Sequence, residues 1–490
     1  MTILEKDLDR RIPTPERALL LALVGVACFL RFWRLGEYSF DVDEIFSLNA
    51  ASASWSGLLS IAARDVSHPP LFYMLLKAWL SIAPATEGWT RVLPALFGAA
   101  AIVPLYGICR AIRLGVAATA LVLCLFAFSG VLVQYAQYLR MFSLLQLASV
   151  LSIWAFVRFL RDGTRHSFWG LTDANLLMVY SHYWGWTVIA AQLVILALLC
   201  RHRLLGYLAS AAVVALLFAP WVAAVAMGAA HNGSATRQIS WIGQADASSV
   251  LWLFGNLAGA PDFPRATVIG LLLFALPVLA LVYVRWIARR GDREAVSPLC
   301  WMLLAAVPVM ITLAAGYVTG QSIWGERHLI IVAAPYFLLV GAAVDGLPWR
   351  RIGIGIAAIL MLWSAAAGIG AAREPDKRLQ WQSLLEQIAA ASSGPVVLHT
   401  LEPFVRDALA FYVARGGVDA VIIADDGTWP PLSSGGFWLV YRDTTWTRPE
   451  SPERMLAAGG FRVERTLAID APSQRVVALS VRRVMDAPLP

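Results

Sequence analysis

Long apolar blocks, separated by short charged interruptions, fill the first three quarters of the chain, and the period shortens beyond Lys377. Blocks of about 17 to 23 apolar residues have the length of a helix that crosses a bilayer. Read in this way, residues 17–34, 90–109, 114–133, 141–160, 167–182, 184–200, 204–226, 265–288, 297–317, 328–346 and 352–372 predict about eleven transmembrane helices. Beyond Lys377, helical and alternating stretches take turns. Leu379–Ala391, PFVRDALAFYVARGG and SPERMLAAGG predict helices, and PVVLHT, DAVIIADD, FWLVYRD, FRVERTLAID and RVVALSVRRV predict five strands. The expected architecture is a polytopic α-helical membrane module over residues 1–375, followed by a small soluble α/β domain over residues 376–490.

Composition strengthens this picture. At 59% hydrophobic and 14% charged residues, with a mean hydropathy of +0.65, the chain is too apolar for a soluble globule of its size. The net charge of +7 does not call for a nucleic-acid partner, because the arginines punctuate the ends of apolar runs instead of forming one basic face. With a cytoplasmic N-terminus, the inner loops hold Arg110 and Arg113, then Arg158, Arg161 and Arg165, then Arg201 and Arg203, then Arg289, Arg290 and Arg293, then Arg350 and Arg351. That is the positive-inside pattern, and an odd number of spans exports the C-terminal domain. Cys28, Cys109, Cys124, Cys200 and Cys300 sit in or beside apolar runs at no metal-ligand spacing, so a disulfide framework is not expected. The first apolar run is long and lacks a small-x-small cleavage site, so it reads as the first span.

Candidate chemistry gathers in the first outer loop, residues 35–89. Asp41, Asp43 and Glu44 open it, two amphipathic pieces at Glu44–Ala53 and Trp55–Ala63 suit helices lying on the membrane surface, and Asp65-Val-Ser-His68-Pro-Pro70 closes it. A carboxylate held against apolar surface has a raised pKa and can take a proton from a hydroxyl. Asp43 also fits the bland role of helix cap. The apolar strand PVVLHT and the helix after it look like a mononucleotide unit, but no Gly-rich phosphate loop joins them, which argues against nucleotide binding there.

The order DxDE, two surface helices and HPPL…LLK resembles the first outer loop of GT-C-type glycosyltransferases of the protein O-mannosyltransferase group. That group includes the lipid A aminoarabinose transferases and the rhizobial core galacturonosyltransferases. Tyr135-Ala-Gln-Tyr138-Leu-Arg140-Met-Phe-Ser-Leu-Leu is similar to the bacterial segment YAQEARMYSLL, Tyr180-Ser-His182-Tyr183-Trp-Gly to YTHYFG, and Glu326-Arg327-His328 with Pro335 to RYLLPALP. The resemblance covers roughly residues 17–345. Two segments depart from it: Tyr138 stands where the family has a glutamate, and Ser67-His68 stands where the lipid A branch has Glu-Lys.

The resemblance implies an inverting transfer of a sugar from a polyprenyl-phosphate carrier to a lipid, glycan or protein acceptor at the outer face of a bacterial cytoplasmic membrane. It implies Asp43, with Glu44, as the catalytic carboxylates, and Arg140, Arg327 and His68 as holders of the donor phosphate. Tyr138, His182, Tyr183, Glu326 and His328 become substrate-binding residues. No metal ligand is assigned and no cofactor is certain; a divalent metal shared by His68, His182 and His328 with Asp43 or Glu44 is one arrangement that the outer turns leave open. Two other classes stay in view: a flippase of lipid-linked glycan, and a polymerase or ligase using a lipid-diphosphate glycan. A flippase needs ionisable residues along a path at mid-depth, whereas these spans are nearly free of charge.

Overall fold

The computed structural model describes residues 14–232, 242–259, 264–288, 298–373, 379–424, 436–443, 451–471 and 474–484. Arg289, Arg290 and Arg293 of the predicted inner loops, and residues 233–241 of an outer loop, lie outside them. The chain divides into two compact units. One comprises Met1–Leu35, Ala50–Ala85 and Trp89–Arg373; the other comprises Gly36–Asn49, Thr86–Gly88 and Glu374–Pro490.

Helices run through the first part of the chain in the order α1 (Thr14–Phe32), α2 (Val42–Ser52), α3 (Trp55–Asp65), α4 (Leu71–Leu80), α5 (Glu87–Ala100), α6 (Ile102–Ala111), α7 (Val116–Phe128) and α8 (Gly130–Ala136). They continue with α9 (Phe142–Asp162), α10 (Arg165–Ser181), α11 (Gly185–Leu199), α12 (Leu204–Asn232), α13 (Ala247–Leu257), α14 (Pro264–Ala288), α15 (Pro298–Thr319), α16 (Ala333–Asp345) and α17 (Arg350–Arg373). Each predicted span falls on a helix or a helix pair. Among the described residues, five are long and apolar enough to cross a membrane: Glu87–Ala111, Phe142–Asp162, Arg201–Gly228, Pro298–Thr319 and Arg350–Gly370. A sixth is added if α7 and α8 form one bent span. Leu205, Leu216, Val318 and Leu362 are each more than 70% exposed, an apolar surface that suits lipid and not water. The two surface helices of the first loop, α2 and α3, are present within two residues of their expected ends.

The predicted span 114–133 is not straight. It breaks at Ser129, and α7 and α8 meet at 52°. A break frees backbone carbonyls that an apolar medium cannot satisfy. Arg31 of α1, fully buried, donates to the carbonyls of Phe126 at 3.1 Å and Ala127 at 3.2 Å. In return, Gln137, at the end of α8, donates its amide to the carbonyls of Leu30 and Trp33, both at 2.9 Å. Helix α1 and the α7–α8 corner therefore cap each other. A side chain at Gly368 of α17 would run into the Phe128 carbonyl, so a glycine is needed where that helix crosses the break.

Polar groups inside the bundle serve one another. Ser152 of α9 donates to Asn175 of α10 at 2.6 Å, Gln192 of α11 donates to Ser152 at 2.8 Å, and Tyr207 of α12 donates to the Gln192 carbonyl oxygen at 3.0 Å. Such interhelical bonds fix helix pairing where hydrophobicity alone gives no preference.

In the second unit, α18 (Trp381–Ala391), β1 (Val396–Thr400), α19 (Pro403–Ala414), β2 (Ala420–Ala424), β3 (Gly436–Arg442), α20 (Pro452–Ala458), β4 (Phe461–Ala471) and β5 (Gln474–Arg483) build a five-stranded sheet of order β2-β1-β3-β5-β4. β1 lies parallel to β2 and β3, and β5 lies antiparallel to β3 and β4. Alternate residues Phe437, Leu439 and Tyr441 of β3 meet Val477, Leu479 and Val481 of β5 in one core. All five predicted strands and three predicted helices of this segment are found.

Candidate active site

Four turns of the first unit bring their side chains to one cluster. The first lies between α3 and α4. Val66 ends α3 in the left-handed region at φ +50°, which is strained for a β-branched residue. The hydroxyl of Ser67 donates to the Asp65 carbonyl at 3.0 Å, and Pro70 starts α4. His68, left between them, is buried, with Nδ1 3.5 Å from Asp65 Oδ2 and 3.3 Å from Arg140 Nη2. Lys77, later on α4, donates to the carbonyls of Ala51 and Ala53 and so ties α4 to the end of α2.

The second turn, between α8 and α9, carries Arg140, 4% exposed, whose Nη1 also reaches the Tyr73 hydroxyl at 3.4 Å. His182 ends α10 in extended conformation, and His328 sits at the turn before Leu329–Val332. The imidazole of His182 lies with its centroid 5.1 Å from that of His68 and 4.9 Å from that of His328. Trp184 backs both rings, at 5.3 Å from His182 and 4.5 Å from His328, and is itself fixed by its indole N–H on Thr312 at 3.1 Å. Phe142 lies at about 6 Å from both histidines, and Arg327 stands over its ring at 5.8 Å.

One ring nitrogen from each of His68, His182 and His328 lies within 4.8 Å of the others. Nε2 of His182 and Nδ1 of His328 are buried without a hydrogen-bond partner among the described residues. Burial first, then neighbouring histidines and arginines, holds both imidazoles well below their usual range, so they are neutral at pH 7. Gly325 makes room for one of them: a Cβ there would lie 2.7 Å from His328 Nδ1.

Other expected residues make contacts with neighbouring elements. Tyr138 stacks on Phe142 at 6.4 Å. Tyr183 turns to α12, where its hydroxyl accepts the Trp221 indole N–H at 3.1 Å, and burial pushes its phenol up to about 12. Glu326 accepts the Asn256 amide of α13 at 2.8 Å. Helix α13 and the contacts of Asp65 and Trp184 were not anticipated, although Asp246 and Ser249 form a capping box that is visible in the sequence.

The acidic corner belongs to the second unit. Asp41 caps α2: its carbonyl accepts the Ile45 N–H at 2.9 Å, and Glu44 reaches back to accept the Asp41 N–H at 3.0 Å. The cap is thus Asp41 and not Asp43, and Glu44, fully buried, is the returning member of a capping box. Asp43, half-buried, lies in the first turn of α2. Tyr412 of α19 receives the Phe40 N–H and donates to Glu87 at 3.0 Å. Arg415 bonds the same Glu87 oxygen at 2.7 Å and lies over the rings of Phe40 and Phe411.

No family model and no curated protein matches the sequence. Among solved structures, ArnT from Cupriavidus metallidurans bound to undecaprenyl phosphate aligns with a TM-score of 0.56 at 14% identity, over 95% of this chain and 98% of that one. The apo state of the same protein gives 0.58 at 14% identity over the same shares. The S. cerevisiae Pmt1-Pmt2 O-mannosyltransferase complex aligns over 48% of this chain and 36% of that one, at 16% identity and a TM-score of 0.34. The chain thus has the fold of ArnT, a GT-C-type lipid A aminoarabinose transferase, along nearly its whole length.

Proposed function

We propose that this chain is an integral-membrane inverting glycosyltransferase. It takes a sugar from a polyprenyl-phosphate carrier at the outer face of the cytoplasmic membrane and passes it to a hydroxyl of a lipid, glycan or protein. The observation that supports this most is the convergence of Arg140, His68, His182, His328 and, across Phe142, Arg327 at one set of helix ends, in a fold shared with a protein solved bound to undecaprenyl phosphate.

In the reaction, the bond between the anomeric carbon and the phosphate oxygen breaks, and the phosphate keeps the electron pair. Arg140 and Arg327 stabilise that charge as it develops, and a guanidinium fork suits phosphate better than a point charge does. Asp43 takes the acceptor's proton as its oxygen attacks the opposite face of the sugar, which inverts the anomeric centre. Glu44 keeps the N-terminal turn of α2 in shape. The topology that goes with this reading has eleven spans, the N-terminus inside, and residues 376–490 outside as a domain that docks the acceptor.

A flippase reading finds less support. Among the described residues, the buried arginines within helices, Arg31 and Arg91, donate to backbone carbonyls, of Phe126, Ala127 and Leu35. The test is an assay in detergent, with purified protein offered polyprenyl-phosphate sugars and a hydroxyl acceptor, and release of free polyprenyl phosphate followed.

A further inference from the structure

We propose that His68, His182 and His328 form a three-imidazole site for a divalent cation of the zinc class. Three of the chain's seven histidines, 114 and 146 residues apart along the sequence, place one ring nitrogen each within 4.8 Å of the others. Bonds to zinc of about 2.0–2.1 Å require only a modest closure from there. Imidazole suits zinc, copper, iron and nickel, and three neutral ligands with an open fourth position form a recurrent zinc geometry.

Two features point to a ligand inside the cluster. Nε2 of His182 and Nδ1 of His328 are more than nine-tenths buried and have no hydrogen-bond partner among the described residues, a costly state for a polar atom unless something binds it. The second feature is the carboxylate behind His68. Asp65 Oδ2 lies 3.5 Å from His68 Nδ1, near enough that a small closure lets it accept an Nδ1 proton and so fix the tautomer of a ligating histidine.

With metal at Nε2 of His68, Nδ1 carries a proton and donates a hydrogen bond to Asp65, while Arg140 keeps the Tyr73 hydroxyl. At His182, metal at Nε2 moves the ring proton to Nδ1 and gives up the long 3.3 Å bond from the Trp184 N–H. The nearby guanidiniums of Arg140 and Arg327 repel a dication, so an anion in the fourth position strengthens the site. The site lies within the pocket that the transferase reading gives to the donor and deepens that reading, and metal binding by the resting protein is measured without any sugar transfer.

The experiment uses the full chain in detergent, stripped with a chelator and titrated with Co2+ and Zn2+. One equivalent per chain is expected, with the Co2+ spectrum of a tetrahedral nitrogen site. X-ray absorption of the Zn2+-loaded wild type, which needs no variant, is expected to show about three imidazole nitrogens at about 2.0–2.1 Å. His182→Ala and His328→Ala are expected to weaken binding about 100-fold, whereas His166→Ala, exposed on α10, leaves it unchanged. Binding that is absent, or that is equally strong in the two alanine variants, overturns the site, as does sulfur ligation. Binding of inorganic phosphate by a wild type that takes up no metal also overturns it, and makes the histidines anion donors instead.

Discussion

Arg140 Nη2 lies 3.3 Å from His68 Nδ1, although the two residues are 72 positions apart and belong to different turns. The contact depends on the α7–α8 corner, which sets where Arg140 emerges, and on the strained Val66 turn, which returns His68.

If Arg140 and Arg327 hold the leaving phosphate, Arg140→Ala or Arg327→Ala should lower kcat/KM for the donor by about 10²- to 10³-fold, the usual worth of one charge-stabilising donor. Arg→Lys should recover only part, because an ammonium does not reproduce the fork. Steady-state kinetics with the donor varied checks this, and wild-type values in both alanine variants would reduce the arginines to membrane-surface anchors.

The two carboxylates of the Asp-Glu pair should separate by readout. Asp43→Asn keeps the shape, so turnover should fall by roughly 10² to 10⁴ with little change in thermal stability. Glu44→Ala removes the returning half of the cap and should cost about 1 kcal/mol, seen as a lower Tm of the full chain in detergent. Asp41→Asn, still a good cap, should change little. Equal losses of turnover in the Asp41→Asn and Asp43→Asn variants would remove Asp43 from the role of base.

Gly325 faces His328 closely enough that a methyl group must push the ring. Gly325→Ala should therefore lower turnover by about 10²-fold through a shift of the order of 1 Å, with the fold retained. Circular dichroism and kinetics on the same preparation test the claim; unchanged kinetics would mean that the ring's position is immaterial.

At the corner itself, Arg31→Met leaves the carbonyls of Phe126 and Ala127 without their donor, and stability should drop by about 1–3 kcal/mol. Gly368→Ala should destabilise by a similar 1–3 kcal/mol or so through its clash with the Phe128 carbonyl. Gly170→Ala, in open space on α10, should instead stabilise by up to about 1 kcal/mol. Thermal unfolding of the three variants side by side gives the ordering.

Much of this was legible in the chain. Apolar block length placed the helices, and alternation placed the five strands, because burial dictates both patterns directly. The break at Ser129 was hidden, since α7 and α8 are apolar on both sides of it and the compensating donor, Arg31, lies in another helix. The convergence of His68, His182 and His328 was hidden for a similar reason: the sequence puts each on an outer turn, but only helix packing decides which turns meet. The hydrogen bond of Glu44 to the Asp41 N–H was not legible because the same spacing serves a cap and a catalytic pair equally well.

Topology is checked by cysteine labelling on a cysteine-free background. Ser56→Cys, on exposed α3, should react with a membrane-impermeant reagent in intact cells, and Asp162→Cys, at the end of α9, should not. The opposite pattern would put the histidine cluster on the inner face.

The central claim is use of a polyprenyl-phosphate sugar. Purified protein in detergent, given such donors and a hydroxyl acceptor, should release free polyprenyl phosphate in step with glycosylated product of inverted configuration, and the Asp43→Asn variant should not. Consumption of a lipid-diphosphate glycan with no turnover of any monophosphate donor would contradict the account.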